Sequence, residues 1–161
     1  MHHNLALRTL FIISFGIIIA DQFVKFAMLE WVDIDARPAI TITSWFKLVM
    51  VWNHGISFGM LSAPETYVPY FLIAVALVIA AILARLCLHS QRRTEWVGYS
   101  LIIGGALGNV IDRVRFGAVA DFFYFHMGDL GWPAFNIADA AICVGVAILV
   151  FHNIFFNRHA A

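Results

Sequence analysis

Asp121, in the aromatic run VADFFYF (119–125), and Asp139, in FNIADAAI (135–142), are the carboxylates best placed to do chemistry. An ionisable group in or beside a membrane-length apolar segment is costly, and is a functional candidate by default. Asp139 falls one turn into an apolar run, on the same helical face as Asn136. If the aromatic run folds back onto the membrane, the two carboxylates can meet. Two carboxylates in one site of low dielectric do not both ionise easily, and tend to share a proton. Such a pair can perform both halves of peptide hydrolysis. The ionised member takes a proton from water, and the protonated member polarises the scissile carbonyl. A blander reading makes Asn136 a helix cap and Asp139 a charge that favours the positive end of the helix dipole. That reading accounts for Asp139 and leaves Asp121 unexplained.

Other polar groups sit close to apolar runs. Asp21 and Lys25 are spaced i,i+4, share a helix face and can form a structural ion pair that ties the first span to its neighbours. Asp112 and Arg113 are adjacent, so they face different neighbours, and Arg113 can clamp backbone carbonyls or a carboxylate near the site. In GGALGN (104–109), Gly104 and Gly108 form a G-x-x-x-G pattern that lets two membrane helices approach closely. Asn109 is then held near another helix and can hydrogen-bond across. GISFG (55–59) matches the nucleophile elbow, with His54 just before it. That motif needs a large α/β sheet, for which a chain this apolar and short has no room. The seven histidines show no metal-ligand spacing, so no metal site is expected.

The elements that must position these groups are membrane helices. The chain has 161 residues, 62% hydrophobic and 12% charged, with a mean hydropathy of +0.85. A soluble domain averages about 45–50% apolar and about 25% charged. The formal net charge is zero, so no pull toward nucleic acid is implied. Cys87 and Cys143 lie in apolar runs without a CxxC partner and read as small core residues. Four stretches are candidates to cross a bilayer, at about 8–29, 67–88, 96–112 and 136–156. The first is expected to be a span rather than a cleaved signal peptide, because its run resumes after Asp21 and three more segments follow.

Antiparallel threading brings Asp21, Lys25, Asn109, Asp112, Arg113, Asn136 and Asp139 to one membrane face. Arg8, Arg92, Arg93 and Arg158 lie in short segments at the other face, which places both termini inside. The connection at about 30–66 alternates in AITITSWF and is rich in β-formers in FKLVMVW, which predicts a small outer sheet. The connection at about 113–135 carries the aromatic run, suited to the membrane interface. A rival reading is a small proton- or ion-coupled transporter relaying through Asp21, Asp112 and Asp139. The apolar inner halves of the spans count against it.

Five blocks occur in one order: DQFVK (21–25), NHGISFG (53–59), GGALGNVIDR (104–113), VADFFYF (119–125) and WPAFNIADAAI (132–142). In this order they resemble the lipoprotein signal peptidase family, signal peptidase II of bacteria. The resemblance spans nearly the whole chain. It implies an all-α membrane protein: a four-helix bundle with a small extracytoplasmic β-cradle and a short interfacial helix. It implies an aspartyl endopeptidase of the bacterial inner membrane that cuts prolipoproteins just before their diacylglyceryl-modified cysteine. By motif position Asp121 and Asp139 match the catalytic pair. Asn53, Asn109, Arg113 and Asn136 match polar residues around it, and Asp21 and Lys25 match the first, supporting block. The resemblance implies no metal or organic cofactor. The expected partners are the lipidated substrate and the bilayer, with the protein a monomer. Ser57 departs from the alanine expected in the second block.

Overall fold

The structure is a computed structural model that describes residues 2–55 and 67–156. Ser57 and most of the GISFG motif lie outside the described residues. Four long helices carry the chain: α1 (His2–Phe26), α2 (Val68–His89), α3 (Arg93–Phe116) and α4 (Ile137–Phe156). Among the described residues, three helical stretches are long and apolar enough to cross a membrane: His2–Trp31, Val68–His89 and Ile137–Phe155. Most of their apolar surface is uncovered by protein, with Phe11, Ile12, Tyr70, Phe71 and Phe151 each more than half exposed. Apolar surface left open on that scale marks a lipid-facing or partner-facing wall.

Helix α3 differs because it packs against α1, α2 and α4 at once. It needs no apolar coat on every side, and it carries eleven buried residues, among them Gly98, Gly104, Gly105 and Gly108. A Cβ at Gly104 would lie 2.9 Å from the Ser14 backbone of α1, and one at Gly108 2.8 Å from Asp21 Oδ2. A Cβ at Gly105 would run into the Ala138 carbonyl of α4. Glycine here sets the interaxial distance on two sides of one helix. Cys87 is buried in a core with Ala6 and Trp96, whereas Cys143 is exposed on α4, so only the first of the two cysteines is a core residue.

A four-stranded antiparallel arrangement, in the order β1 (Ile40–Thr43), β2 (Phe46–Asn53), β3 (Val119–Met127), β4 (Leu130–Gly131), caps one end. Strands β1 and β2 lie in the connection where alternation predicts them. The aromatic run expected as an interfacial segment is strand β3. Pairing with β2 satisfies its backbone, and its β-branched and aromatic residues suit a pleated surface. Among the described residues, short helical pieces follow α1, as a π-helical turn at Ala27–Trp31 and a 3-10 turn at Ile34–Ala36. Helix α3 runs to Phe116, past the expected end near 112. Gly117 stops it with φ 73° while its N–H donates to the Arg113 carbonyl at 3.0 Å.

Candidate active site

Asn136 is the N-cap of α4, and its hydrogen bonds join the two candidate aspartates. Its side-chain oxygen accepts from the Asp139 N–H at 2.9 Å, and its own N–H donates to Asp139 Oδ2 at 3.4 Å. This is the reciprocal pattern of a capping box, with aspartate at the third helical position. Its amide nitrogen also donates to Asp121 Oδ1 at 2.7 Å and to Asn109 Oδ1 at 3.2 Å. Asn109 in turn donates to Asp139 Oδ1 at 2.8 Å. Two asparagines from two elements therefore hold Asp139, and Asn136 also reaches Asp121.

Two backbone devices bring Asp121 to this point. Residues 132–135 return along β3: Phe123 and Phe135 exchange N–H···O bonds of 2.9 and 3.1 Å, which sets Asn136 beside Asp121. On the other side β2 pairs Val51 with Asp121 and Asn53 with Val119. Asn53 is then the diagonal same-face neighbour of Asp121, and its amide donates to Asp121 Oδ2 at 3.0 Å.

The two carboxylates sit in unequal surroundings. Asp121 is 1% exposed, and Asp139 is half-buried. Burial pushes the Asp121 carboxyl up from its ordinary 3.8 to about 6. The Asn53 hydrogen bond opposes the rise, the Asp139 charge adds to it, and the Asn136 hydrogen bond opposes it.

Behind the pair lies a buried ionic frame. Lys25 Nζ lies 2.8 Å from Asp21 Oδ2 and 2.7 Å from Asp112 Oδ2, and all three side chains are almost fully enclosed. Each carboxylate also accepts a backbone N–H one residue before a candidate catalytic aspartate. Asp21 Oδ1 takes the Ala138 N–H at 2.9 Å, and Asp112 Oδ2 takes the Ala120 N–H at 3.3 Å. Lys25 further reaches Asn109 Oδ1 at 3.4 Å. Gln22 Nε2 seals the frame with bonds to Asp112 Oδ1 at 2.9 Å and to the Gly108 carbonyl at 3.3 Å.

Asn53, Asn109, Asn136, Asp121 and Asp139 thus come together in one network, with Asp21, Lys25 and Gly108 directly behind it. Arg113 stands beside it. Its guanidinium is within electrostatic reach of Asp139, Asp112 and Asp121, and its NH1 donates to the Asn109 carbonyl at 3.5 Å. Among the described residues its buried Nε has no hydrogen-bond partner. Sequence reasoning missed Asp112 and Gln22 as members of the frame. The Asp21–Lys25 spacing announces their pair, but nothing local announces that Lys25 bridges to α3. Among the described residues no three His, Cys, Asp or Glu side chains are grouped to hold a metal ion.

Helices with membrane-length apolar surface and a buried polar site at one end define a membrane enzyme, and known structures agree. A solved bacterial membrane enzyme overlays with a TM-score of 0.80 at 26% identity, covering 92% of this chain and 94% of that one. A profile described as signal peptidase (SPase) II matches residues 13–155, and the chain belongs to the signal peptidase II family. A lipoprotein signal peptidase of Azoarcus sp. is 39% identical over 86% of this chain and 78% of its own. One from Burkholderia vietnamiensis is 42% identical over 88% and 85%. Membership makes the protein a membrane protease, and it lends nothing to the transporter alternative.

Proposed function

We propose that the protein is an aspartyl endopeptidase that removes the signal peptide from diacylglyceryl-modified prolipoproteins, cutting just before the lipidated cysteine. The observation that carries the reading is the linkage of buried Asp121 to half-buried Asp139 through Asn136. Asp121, with its raised pKa, is the better placed to hold the shared proton and donate to the scissile carbonyl oxygen. Asp139, nearer to water, faces the nucleophile. It takes a proton as the water oxygen bonds to the carbonyl carbon, giving a tetrahedral intermediate. The C–N bond then breaks, the departing amine receives a proton from the pair, and the shared proton is restored. Arg113, with an unspent buried donor, suits a substrate backbone carbonyl.

The whole chain acts as one integral membrane domain with four spans. Three are the apolar helices, and the fourth is α3, which the other three shield from lipid. Both termini lie in the cytoplasm of a bacterial cell, and the sheet and the aspartates face outward across the inner membrane. Two features support this topology: Arg8, Arg92 and Arg93 lie toward the end remote from the aspartates, and consecutive helices run antiparallel. The substrate enters laterally from the bilayer, and a monomer suffices. No cofactor and no nucleic acid enter the reaction.

Incubating the purified protein with a diacylglyceryl-modified prolipoprotein tests the reading. Mass spectrometry should find a mature chain that begins at the lipidated cysteine, together with the intact signal peptide. A substrate that is never cut, or is cut elsewhere, would overturn it.

A further inference from the structure

Arg8 and Arg93 meet at the end of the bundle opposite the aspartates. Arg8 precedes Asp21 by about 20 Å of helix, and Arg93 precedes Asp112 by about 28 Å, at 1.5 Å per residue. Together with His2, Asn4 and Leu5 they line a cavity of about 380 Å³ between the starts of α1 and α3. Among the described residues neither arginine has a carboxylate or a hydrogen-bond acceptor for its side chain. The nearby acid, Glu95, is engaged by Ser90 Oγ at 2.6 Å and His152 Nδ1 at 3.3 Å. Among the described residues, two permanent cations therefore share one concavity with nothing negative between them. The walls are fixed by the enclosed cluster of Ala6, Cys87 and Trp96, which ties α1, α2 and α3 together at this level.

We propose that this cavity binds a phosphate-bearing anion, supplied by the headgroup of an anionic phospholipid in the leaflet at that end. Guanidinium forks match phosphate oxygens in a bidentate manner, and basic pockets between membrane helices hold such headgroups. The positive ends of two helix dipoles add to the same field. The choice of a lipid over a free phosphate follows from the face that Leu5 and Arg8 share. At helical spacing it continues through Ile12, Phe15 and Ile19, which are 65%, 52% and 52% exposed. An anion held by Arg8 thus has an uncovered apolar track running from it along α1, suited to an acyl chain. The site does not depend on the peptidase chemistry at the other end.

Thermal unfolding of the full-length protein in a neutral detergent tests this. It is titrated with phosphatidylglycerol, with phosphatidylcholine of the same chains, or with inorganic phosphate. Phosphatidylglycerol should stabilise saturably and phosphatidylcholine should not. The Arg8→Gln/Arg93→Gln double variant should need about tenfold more phosphatidylglycerol for half the effect, a loss of about 1.4 kcal/mol. Arg8→Lys/Arg93→Lys, which keeps the charge, should lie between it and wild type. Arg37→Gln, an exposed arginine in the other connection, should match wild type. Equal stabilisation by the two lipids would overturn the proposal, as would a full phosphatidylglycerol response in the double glutamine variant. A response to inorganic phosphate equal to that of the lipid, and lost in the double variant, would overturn the lipid assignment in favour of a soluble anion.

Discussion

Asn136 closes a helix end and touches both aspartates, so a single side chain sets the spacing of the pair. Asn53 acts on one member only: its amide stabilises the charged form of Asp121 and holds the carboxyl below where burial alone would put it. The folded-state pKa of Asp121 lies above its ordinary 3.8, at about 6. The shared proton is therefore present below that range and is lost as pH rises through it. kcat/KM should fall on the alkaline side with an apparent pKa near 6 that belongs to the pair. Asn53→Ala should move that limb upward by about half a unit to one unit, given the strength of a hydrogen bond to a charged group. An unmoved or lowered limb in a pH–rate profile would contradict the role given to Asn53. At this scale the sequence was informative about types and poor about partners. Asp121, Asp139 and Asn136 stand out because polar residues are rare in apolar runs. That Asn136 would bond Asp121 depends on the Phe123–Phe135 pairing, which periodicity does not show.

Helix α3 positions the site because glycine lets two neighbours press close. Gly105 abuts the carbonyl of Ala138, the residue before Asp139. Gly105→Ala must push the first turn of α4 away, so it should destabilise the fold by about 1–3 kcal/mol and lower kcat more than it raises KM. Gly16→Ala has open space around its new methyl and should leave activity unchanged without lowering the thermal midpoint. Equal behaviour of the two variants in thermal unfolding and steady-state kinetics would refute the packing argument. The G-x-x-x-G pattern announced a close approach, and the four apolar stretches announced the four long helices. Strand β3 was harder to read. Its aromatic residues suit an interface and a strand equally, and only pairing with β2 decides between them.

The whole molecule is braced where its helices converge. Lys25 neutralises part of the charge of Asp21 and Asp112, and these hold the backbone next to Asp139 and Asp121 respectively. Lys25→Met leaves two enclosed carboxylates facing each other and should cost about 3–5 kcal/mol in thermal unfolding. Asp21→Asn keeps an acceptor for the Ala138 N–H and leaves a balanced Lys25–Asp112 pair, so it should cost less. The reverse ranking would show that the frame is not held together by Lys25. Orientation is open to a direct check. A cysteine at Thr43 should react with a membrane-impermeant thiol reagent once the outer membrane is opened, and one at Gln91 only after the inner membrane is breached. Labelling in the opposite order would invert the proposed topology. This long-range frame was the least legible feature, because Lys25 and Asp112 meet only through the threading of the bundle.

The central claim is that Asp121 and Asp139 together hydrolyse the peptide bond. The measurement that bears on it most directly is turnover of the lipidated substrate by Asp121→Asn and Asp139→Asn, taken alongside their thermal midpoints. Asp121→Asn removes a buried charge whose pKa is raised, so above pH 6 that variant should unfold no earlier than wild type. Both variants should stay folded and lose at least about 100-fold in kcat. A folded variant of either kind that keeps wild-type turnover would contradict the claim.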